Sequence, residues 1–194
     1  MKKDIILSGV GGQGILSVAA VIGMAALEGN LDVKQAEVHG MSQRGGAVQS
    51  HLRLSSEKIA SDLIPYGQAD MILSVEPMEA LRYLPFLSED GWIITNTTPF
   101  NNITDYPEMD KLMEELNAQK NVVAINAEEI AKSIGNTRAS NIVMVGAASP
   151  YLDIPFEHLE RGIQKIFGGK GEAVVKMNID ALKAGREKAG KSNS

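Results

Sequence analysis

The chain has no cysteine among its 194 residues. Disulfide scaffolds, zinc ribbons, thiolate nucleophiles and cysteine-ligated iron–sulfur clusters are therefore excluded as features that this chain itself could hold. Aromatic residues are scarce at 5%, so a core built from the 44% hydrophobic residues must consist mainly of Ile, Leu, Val, Ala and Met. The length is typical of a single domain.

Positive charge is too low for a general nucleic-acid-binding protein. Lys and Arg number 19 against 24 Asp and Glu, a formal net charge of −5, whereas such proteins are normally basic. The charge is uneven, however, because residues 161–191 carry eight basic and three acidic side chains. This segment is either a solvated, lysine-rich terminal helix or a docking face for an acidic partner or a phosphate-bearing ligand.

A long uninterrupted apolar run is also missing. The uncharged stretch between Asp4 and Glu28 follows two lysines and superficially resembles a signal peptide. However, Asp4 stands where a signal peptide would have a basic residue, and the glycines of residues 9–14 interrupt the apolar run. We therefore expect a cytoplasmic protein with neither a membrane nor a nucleic acid as partner.

Alternating strand and helix patterns predict an α/β fold that opens with a Rossmann-like β–α unit. The apolar run 4–8, a glycine turn and the helical pattern 15–27 form that unit. Further strands are predicted at 33–38, 47–54, 70–75, 91–96 and 121–126, and helices at 77–87, 109–119, 127–134, 139–148, 155–167 and 172–189. The loop between the second and third strands is too short for a crossover helix, so that pair should be antiparallel and the sheet mixed.

The glycine turn is the first candidate binding site. Gly9, Gly11 and Gly14 match the G-x-G-x-x-G pattern, with Gly12 and Gln13 between them. A helix N-terminus presents free N–H groups to an anion, and glycines let a phosphate or carboxylate approach the backbone. Glu37 is spaced as the acidic residue of a dinucleotide site would be. The alternative is a tight strand–helix turn that binds nothing.

The polar loop of residues 39–46 is the second candidate site. Its central cluster contains one cation, and no acidic residue occurs between positions 38 and 56. The predicted binding residues of the cluster are Met41, Ser42, Gln43, Arg44 and Gly45. An Arg among glycines is suited to bidentate capture of carboxylate or phosphate, and such a loop can act as a lid. The alternative is a hairpin turn with a solvated Arg.

Catalytic and metal-binding motifs are not found. The three histidines lie too far apart for a local metal motif, and no Gly-x-Ser-x-Gly elbow is present. No residue set forms a convincing catalytic centre in this chain alone, and no metal ligand is predicted.

The two loops together resemble a known family. They are similar to the gamma subunits or domains of 2-oxoacid:ferredoxin oxidoreductases. The residues that carry this resemblance are Ser8 through Ile15, Glu37, the run His39-Gly-Met-Ser-Gln-Arg-Gly-Gly-Ala-Val48 and Ser50-His-Leu-Arg53. Within that family, the chain resembles in particular the small beta subunits of the indolepyruvate branch. The likeness covers about residues 3–185.

The resemblance implies a three-layer α/β/α domain with a mixed, mostly parallel sheet. We expect that domain at residues 1–190, with a disordered tail at 191–194. It further implies a subunit, inactive alone, of an enzyme that oxidatively decarboxylates a 2-oxoacid to an acyl-CoA and reduces ferredoxin. A larger partner subunit would hold thiamine diphosphate, Mg²⁺ and 4Fe–4S clusters, and the glycine turn and Arg44 could contact coenzyme A.

Two alternatives stay open at this point. One is a stand-alone NAD-type dinucleotide-binding protein, and the other is a purely structural or regulatory subunit. A homodimer of the isolated chain is a further possibility.

Overall fold

A six-stranded sheet organises the computed structural model, which describes residues 1–39, 45–101 and 103–191. The strands are β1 (Lys2–Val10), β2 (Asp32–His39), β3 (Ala47–Ser55), β4 (Ala69–Ser74), β5 (Leu87–Asn96) and β6 (Val122–Ile125). The α-helices are α1 (Ile15–Glu28), α2 (Pro77–Arg82), α3 (Met109–Asn117), α4 (Ala127–Ser133), α5 (Ser140–Ala148), α6 (Phe156–Phe167) and α7 (Glu172–Lys191).

The sheet is mixed and mostly parallel, as predicted. Its strand order is β2-β3-β1-β4-β5-β6. β3 is antiparallel to both of its neighbours, while β1, β4, β5 and β6 pair in parallel. The expected antiparallel pairing of β2 with β3 is confirmed. The carboxyl ends of the parallel strands therefore meet at one edge of the sheet, which we call the carboxyl edge.

Helices cover both faces of the sheet, which confirms the three layers. Successive residues of β1 point to opposite faces, so Ile5 and Leu7 join one buried cluster and Ile6 joins the other. The larger cluster contains residues of α1, α4, α5, α6 and α7. The smaller cluster contains residues of α2 and α3. A nearly continuous apolar sequence is typical of strands that are buried on both faces.

α5 and α7 approach each other closely through glycines. A Cβ atom built at Gly146 would lie 2.0 Å from the carbonyl oxygen of Leu182, and one at Gly185 would lie 1.9 Å from that of Val143. Since no side chain fits at these distances, the backbones of α5 and α7 can be in contact only because both positions are glycine. This contact fixes α7 against α5.

Two boundaries differ by four or more residues from the predicted ones. α2 ends at Arg82 rather than near Leu87, and a 3₁₀ turn, Leu84–Phe86, leads directly into β5. Pro85 explains the early end, because proline lacks the backbone N–H and disfavours a helical residue before it. β5 therefore starts at Leu87 instead of Gly91.

α7 extends to Lys191, slightly beyond its predicted end. The first residue of the expected tail is thus helical, and residues 192–194 lie outside the described part of the chain. Across the described residues, no helix has both the length and the apolar character needed to cross a membrane.

Candidate functional site

The glycine turn joins β1 to α1 at the carboxyl edge. Gly12 and Gly14 have φ angles of 106° and 82°, a left-handed region that other residues rarely adopt. Gly14 is the N-cap of α1 and has no side chain to satisfy the first N–H groups of the helix. The helix start therefore has no side-chain cap from its N-cap residue, which leaves N–H groups for another acceptor.

Gln13 braces the turn from inside. Its Oε1 accepts a hydrogen bond from Val10 N at 2.7 Å, and its Nε2 donates to the Val75 carbonyl at 3.4 Å. The side chain thus ties the end of β1 to the residue that follows β4. Gly9 is required beneath it, because a Cβ there would lie 2.5 Å from Val75 Cγ2. Gln13 and Gly9 were predicted as ligand contacts, and in the structure they determine the conformation of the turn.

Asn141 is a contact of the turn that the sequence-based site omitted. Its Nδ2 donates to the Gly14 carbonyl at 3.2 Å, and a Cβ at Gly14 would lie 2.5 Å from the same nitrogen. The contact spans 127 positions in the chain. No local pattern could have identified it, because it exists only once α5 packs beside α1.

A cavity of about 340 Å³ opens over the turn. Gly11, Gly12 and Gly14 form one side of it, and Glu37 at the end of β2 contributes to another. Leu16, in the first turn of α1, also lines the cavity and is exposed to solvent. The cavity therefore combines backbone N–H groups, an acidic side chain and an apolar rim.

The position of Glu37 departs from that of a plain dinucleotide-binding fold. There, the acidic residue ends the strand next to β1. Here β3 is inserted between them: Glu37 pairs with Ser50, and Ser50 pairs with Leu7 of β1. Glu37 is thus two strand spacings, about 10 Å, from β1. The cavity thus has a glycine turn and an acidic residue, as a dinucleotide site does, but the two are farther apart.

The second candidate loop adjoins the first. Gly11 N donates to the Gly46 carbonyl at 2.8 Å, and Gly45 N donates to the Gly11 carbonyl at 3.2 Å. Gly45 has a φ of 76°, which suits glycine. Met41, Ser42, Gln43 and Arg44 lie outside the described residues, so their predicted role as ligand contacts stays a prediction.

Arg53, a cation of the acid-free segment, is engaged within the fold. It forms a bidentate ion pair with buried Asp4, with Nε–Oδ1 and Nη2–Oδ2 distances of 2.7 and 3.0 Å. Its Nη1 also donates to the carbonyls of Ser61 and Leu63. Arg53 therefore attaches the loop of residues 56–68 to the sheet.

His51 is likewise a structural side chain. Its Nδ1 accepts a hydrogen bond from Ile64 N at 3.0 Å, so the neutral ring carries its proton on Nε2. His51 Nε2 lies 2.9 Å from Gln49 Nε2, and its proton is accepted when the Gln49 amide is turned so that its oxygen faces the ring. Burial lowers the pKa of the imidazole, and Arg53 lowers it further. The loop that contains Ile64 covers this ring, which is buried.

Two buried carboxyl groups follow β4. Glu76 Oε2 accepts from Glu79 N at 2.8 Å and caps α2, while its Oε1 accepts from Phe100 N and the Tyr106 hydroxyl. Burial raises the pKa of the Glu79 carboxyl, which Arg82 partly offsets through a 2.9 Å hydrogen bond. These acids stabilise α2 and the segment after β5.

The glycine turn presents groups of the kind that contact anionic ligands. Within the described ranges, no group of three or more His, Asp or Glu side chains could hold a metal ion. The features that the turn offers a ligand are backbone N–H groups, close backbone approach and an adjoining glycine-rich loop.

Comparisons with known proteins agree with this fold. The family model described as pyruvate ferredoxin/flavodoxin oxidoreductase matches residues 4–188. The indolepyruvate oxidoreductase subunit IorB of Archaeoglobus fulgidus is 39% identical, over 97% of this chain and 96% of that protein. The gamma subunit of a keto/oxoacid ferredoxin oxidoreductase from Geobacter sulfurreducens has a TM-score of 0.70 and 25% identity, covering 97% of this chain and 99% of that one.

A larger structure contains the same fold as one part. The 2-oxoglutarate:ferredoxin oxidoreductase from Magnetococcus marinus, with 2-oxoglutarate, coenzyme A and succinyl-CoA bound, gives a TM-score of 0.79 at 23% identity. The match covers 98% of this chain and 31% of that chain. The fold therefore exists both as a separate subunit and within a longer polypeptide.

Proposed function

The chain belongs to the pyruvate ferredoxin/flavodoxin oxidoreductase family, and we propose that it is the small subunit of an enzyme acting on indolepyruvate or a related arylpyruvate. The observation that carries the proposal is the near full-length match, in both directions, to a named IorB subunit at 39% identity. Relatives named 2-oxoglutarate synthase subunit KorC are more distant, at 27% and 31% identity.

In this proposal the chain works with a larger subunit that holds thiamine diphosphate, Mg²⁺ and the 4Fe–4S clusters. The absence of cysteine supports this division, since cysteine thiolates are the usual cluster ligands. The complex converts a 2-oxoacid to an acyl-CoA and passes the electrons to ferredoxin. This chain supplies binding surface rather than the reacting groups.

The glycine turn and the loop of residues 41–45 contact coenzyme A at the partner's active-site entrance. Three features support this role: the uncapped N-terminus of α1, the positive-φ glycines, and the hydrogen bonds that join Gly11 to residues 45 and 46. Arg44 is the cation that would meet a phosphate or carboxylate. The Magnetococcus marinus enzyme is a relative in fold that binds coenzyme A.

Co-expression with the larger subunit tests the assignment. Indolepyruvate-dependent reduction of ferredoxin or a viologen dye should require both chains and coenzyme A. Pyruvate, 2-oxoglutarate and a branched-chain oxoacid, tested in parallel, should react more slowly. A complex that forms but prefers one of these would refute the arylpyruvate assignment while leaving the subunit role intact.

Replacing Arg44 tests the role of the loop. Since a charge-assisted hydrogen bond contributes about 1.5–3 kcal/mol, Arg44→Ala should raise the apparent KM for coenzyme A or for the oxoacid about tenfold or more. Lys58→Ala, in the loop of residues 56–68, is the matched control and should leave both constants unchanged. Unchanged kinetics for Arg44→Ala would favour a purely structural subunit.

A second candidate function is NAD-type dinucleotide binding. The observation in its favour is that Glu37 lines the same cavity as Gly11 and Gly12. Calorimetric titration of the chain with NAD separates the two functions. Binding that is lost in Glu37→Gln would support the dinucleotide function, and no binding would leave the oxidoreductase subunit as the assignment.

A further inference from the structure

A second cavity lies beside the glycine turn, where the N-terminal parts of α1, α5 and α7 converge. Its volume is about 370 Å³. Six polar side chains line it: Ser17, Asn136, Arg138, Asn141, Lys170 and Asn178. None of the residues that line it is acidic, although the chain as a whole has more acidic than basic residues.

The two cations of this cavity have no carboxylate partner in the described part of the chain. Arg138 is exposed and lies in the short connection before α5. Lys170 is also exposed, in the 3₁₀ turn before α7, and its Nζ lies 5.4 Å from the centre of the Phe167 ring. Elsewhere in the described chain, cations such as Arg53 and Lys183 form ion pairs. An anion would therefore find two unneutralised charges here.

Neutral hydrogen-bonding groups accompany the charges. Two of the amides are held in place by the fold, since Asn141 donates to the Gly14 carbonyl and Asn178 to the Val174 carbonyl at 2.8 Å. The Ser17 hydroxyl and the Asn136 amide have no hydrogen-bond partner among the described residues. First-turn residues of α1, α5 and α7 line the cavity, so the positive ends of three helix dipoles lie close to it.

An apolar side completes the cavity. Phe167 and Val174 contribute to its wall, and Met177, 40% exposed, lies at its rim. The volume falls within the range of small-molecule sites, which usually combine apolar surface with a few polar groups. A bare inorganic ion would leave this apolar side uncovered.

We propose that this cavity is a binding site for a small organic phosphate. The Arg138 guanidinium and the Lys170 ammonium bind the phosphate oxygens, with Ser17 and Asn136 as additional donors. The organic part of the ligand lies against Met177 and Val174. The site is formed by this chain alone, so the inference does not depend on the proposed partner subunit.

Calorimetry on the full chain at low ionic strength tests the proposal, with inorganic phosphate, pyrophosphate and adenosine 5′-monophosphate as probes. Saturable one-site binding is expected, and the nucleotide should bind more tightly than inorganic phosphate because it also covers the apolar side. The double variant R138Q/K170Q should weaken binding at least tenfold, since each lost charged contact is worth about that factor. Both positions are exposed, and a thermal melt checks that the variant is folded.

The control double variant is K58Q/K111Q. It removes the same charge from the loop of residues 56–68 and from α3, which packs on the opposite face of the sheet from α5 and α7. Its affinities should stay within about twofold of the wild type. An equal loss of affinity in both double variants would show non-specific charge attraction and overturn the proposal. So would the absence of saturable binding for all three probes at millimolar concentration.

Discussion

Gly14 combines two constraints at a single position. Its φ of 82° disfavours any side chain, and a Cβ there would lie 2.5 Å from Asn141 Nδ2. Gly14→Ala should therefore lower the free energy of unfolding by about 2 kcal/mol, from backbone strain and loss of the Asn141 hydrogen bond. Urea denaturation of both proteins measures the difference.

Gly169→Ala is the matched control for this substitution. Gly169 has no positive φ, and a Cβ there would meet no atom within 4 Å. Its free energy of unfolding should change by less than about 0.5 kcal/mol. If the Ala variant at position 14 were as stable as this control, the turn would have to adopt another conformation.

His51 makes stability depend on pH. Burial lowers the pKa of its imidazole below the ordinary value of 6.5, with Arg53 adding to the effect and Asp62 opposing it. As the pH falls below 6.5, the unfolded chain takes up a proton that the folded chain does not. The free energy of unfolding should therefore decrease as the pH falls from 7 through the lowered pKa.

His51→Gln provides the comparison for this pH effect. The variant keeps every other titrating group, including Glu79, whose raised pKa works in the opposite direction. The stability difference between wild type and variant should shrink as the pH is lowered from 7 towards 5. A difference that is constant with pH would show that protonation of His51 does not break its bond from Ile64 N.

The sequence predicted the glycine turn and its place at a helix start, because both follow from local residue patterns. It did not predict that the Gln13 amide is used inside the turn or that Asn141 braces it. The contact of Gln13 with Val75 and that of Asn141 with Gly14 join residues that are distant along the chain, and single-sequence patterns contain no information about such contacts.

The contact between α5 and α7 depends on the lack of a side chain at Gly185. A Cβ there would lie 1.9 Å from the Val143 carbonyl oxygen, in the backbone of the opposing helix, so the helices would have to separate. Gly185→Ala should lower the free energy of unfolding by about 3 kcal/mol or more, as overpacking of buried contacts does. Chemical denaturation followed by circular dichroism measures the loss.

Gly190→Ala tests the same substitution on the same helix without the clash. A Cβ at Gly190 would meet open space, and alanine favours helix over glycine by about 0.5–1 kcal/mol. This control should be as stable as the wild type or slightly more stable. If Gly185→Ala and Gly190→Ala had the same free energy of unfolding, the result would contradict close packing of α5 on α7.

Most helices and strands were predictable to within a few residues, because buried strands and amphipathic helices have distinct apolar spacings. The antiparallel β2–β3 pair also followed from the short loop between them. The end of α2 was misplaced, since the apolar residues on both sides of Pro85 were interpreted as one continuous helix through Leu87. The 3₁₀ turn and the early start of β5 result from the pairing of Leu87 with Ala69, a tertiary contact.

At the scale of the whole molecule, exposed apolar side chains gather at the carboxyl edge. Leu16 follows the glycine turn, Val38 is near the end of β2, and Phe100 and Ile103 follow β5; all four are more than 40% exposed. Exposed apolar patches often mark protein interfaces. In the proposed complex, we expect this edge to meet the larger subunit, since the glycine turn lies within it.

The double variant L16D/F100D tests this orientation. Charges at two apolar anchors should weaken association with the larger subunit at least tenfold, about 1.4 kcal/mol, in surface plasmon resonance or sedimentation measurements. The fold should persist, because both side chains are exposed and an acidic residue in the first turn of α1 is favourable to the helix. L27D is the control: Leu27 is similarly exposed on the same helix, but at the opposite edge of the sheet. If L27D weakened association and L16D/F100D did not, the larger subunit would bind the edge of the sheet opposite the carboxyl edge. The glycine turn could then not face the active site of the larger subunit.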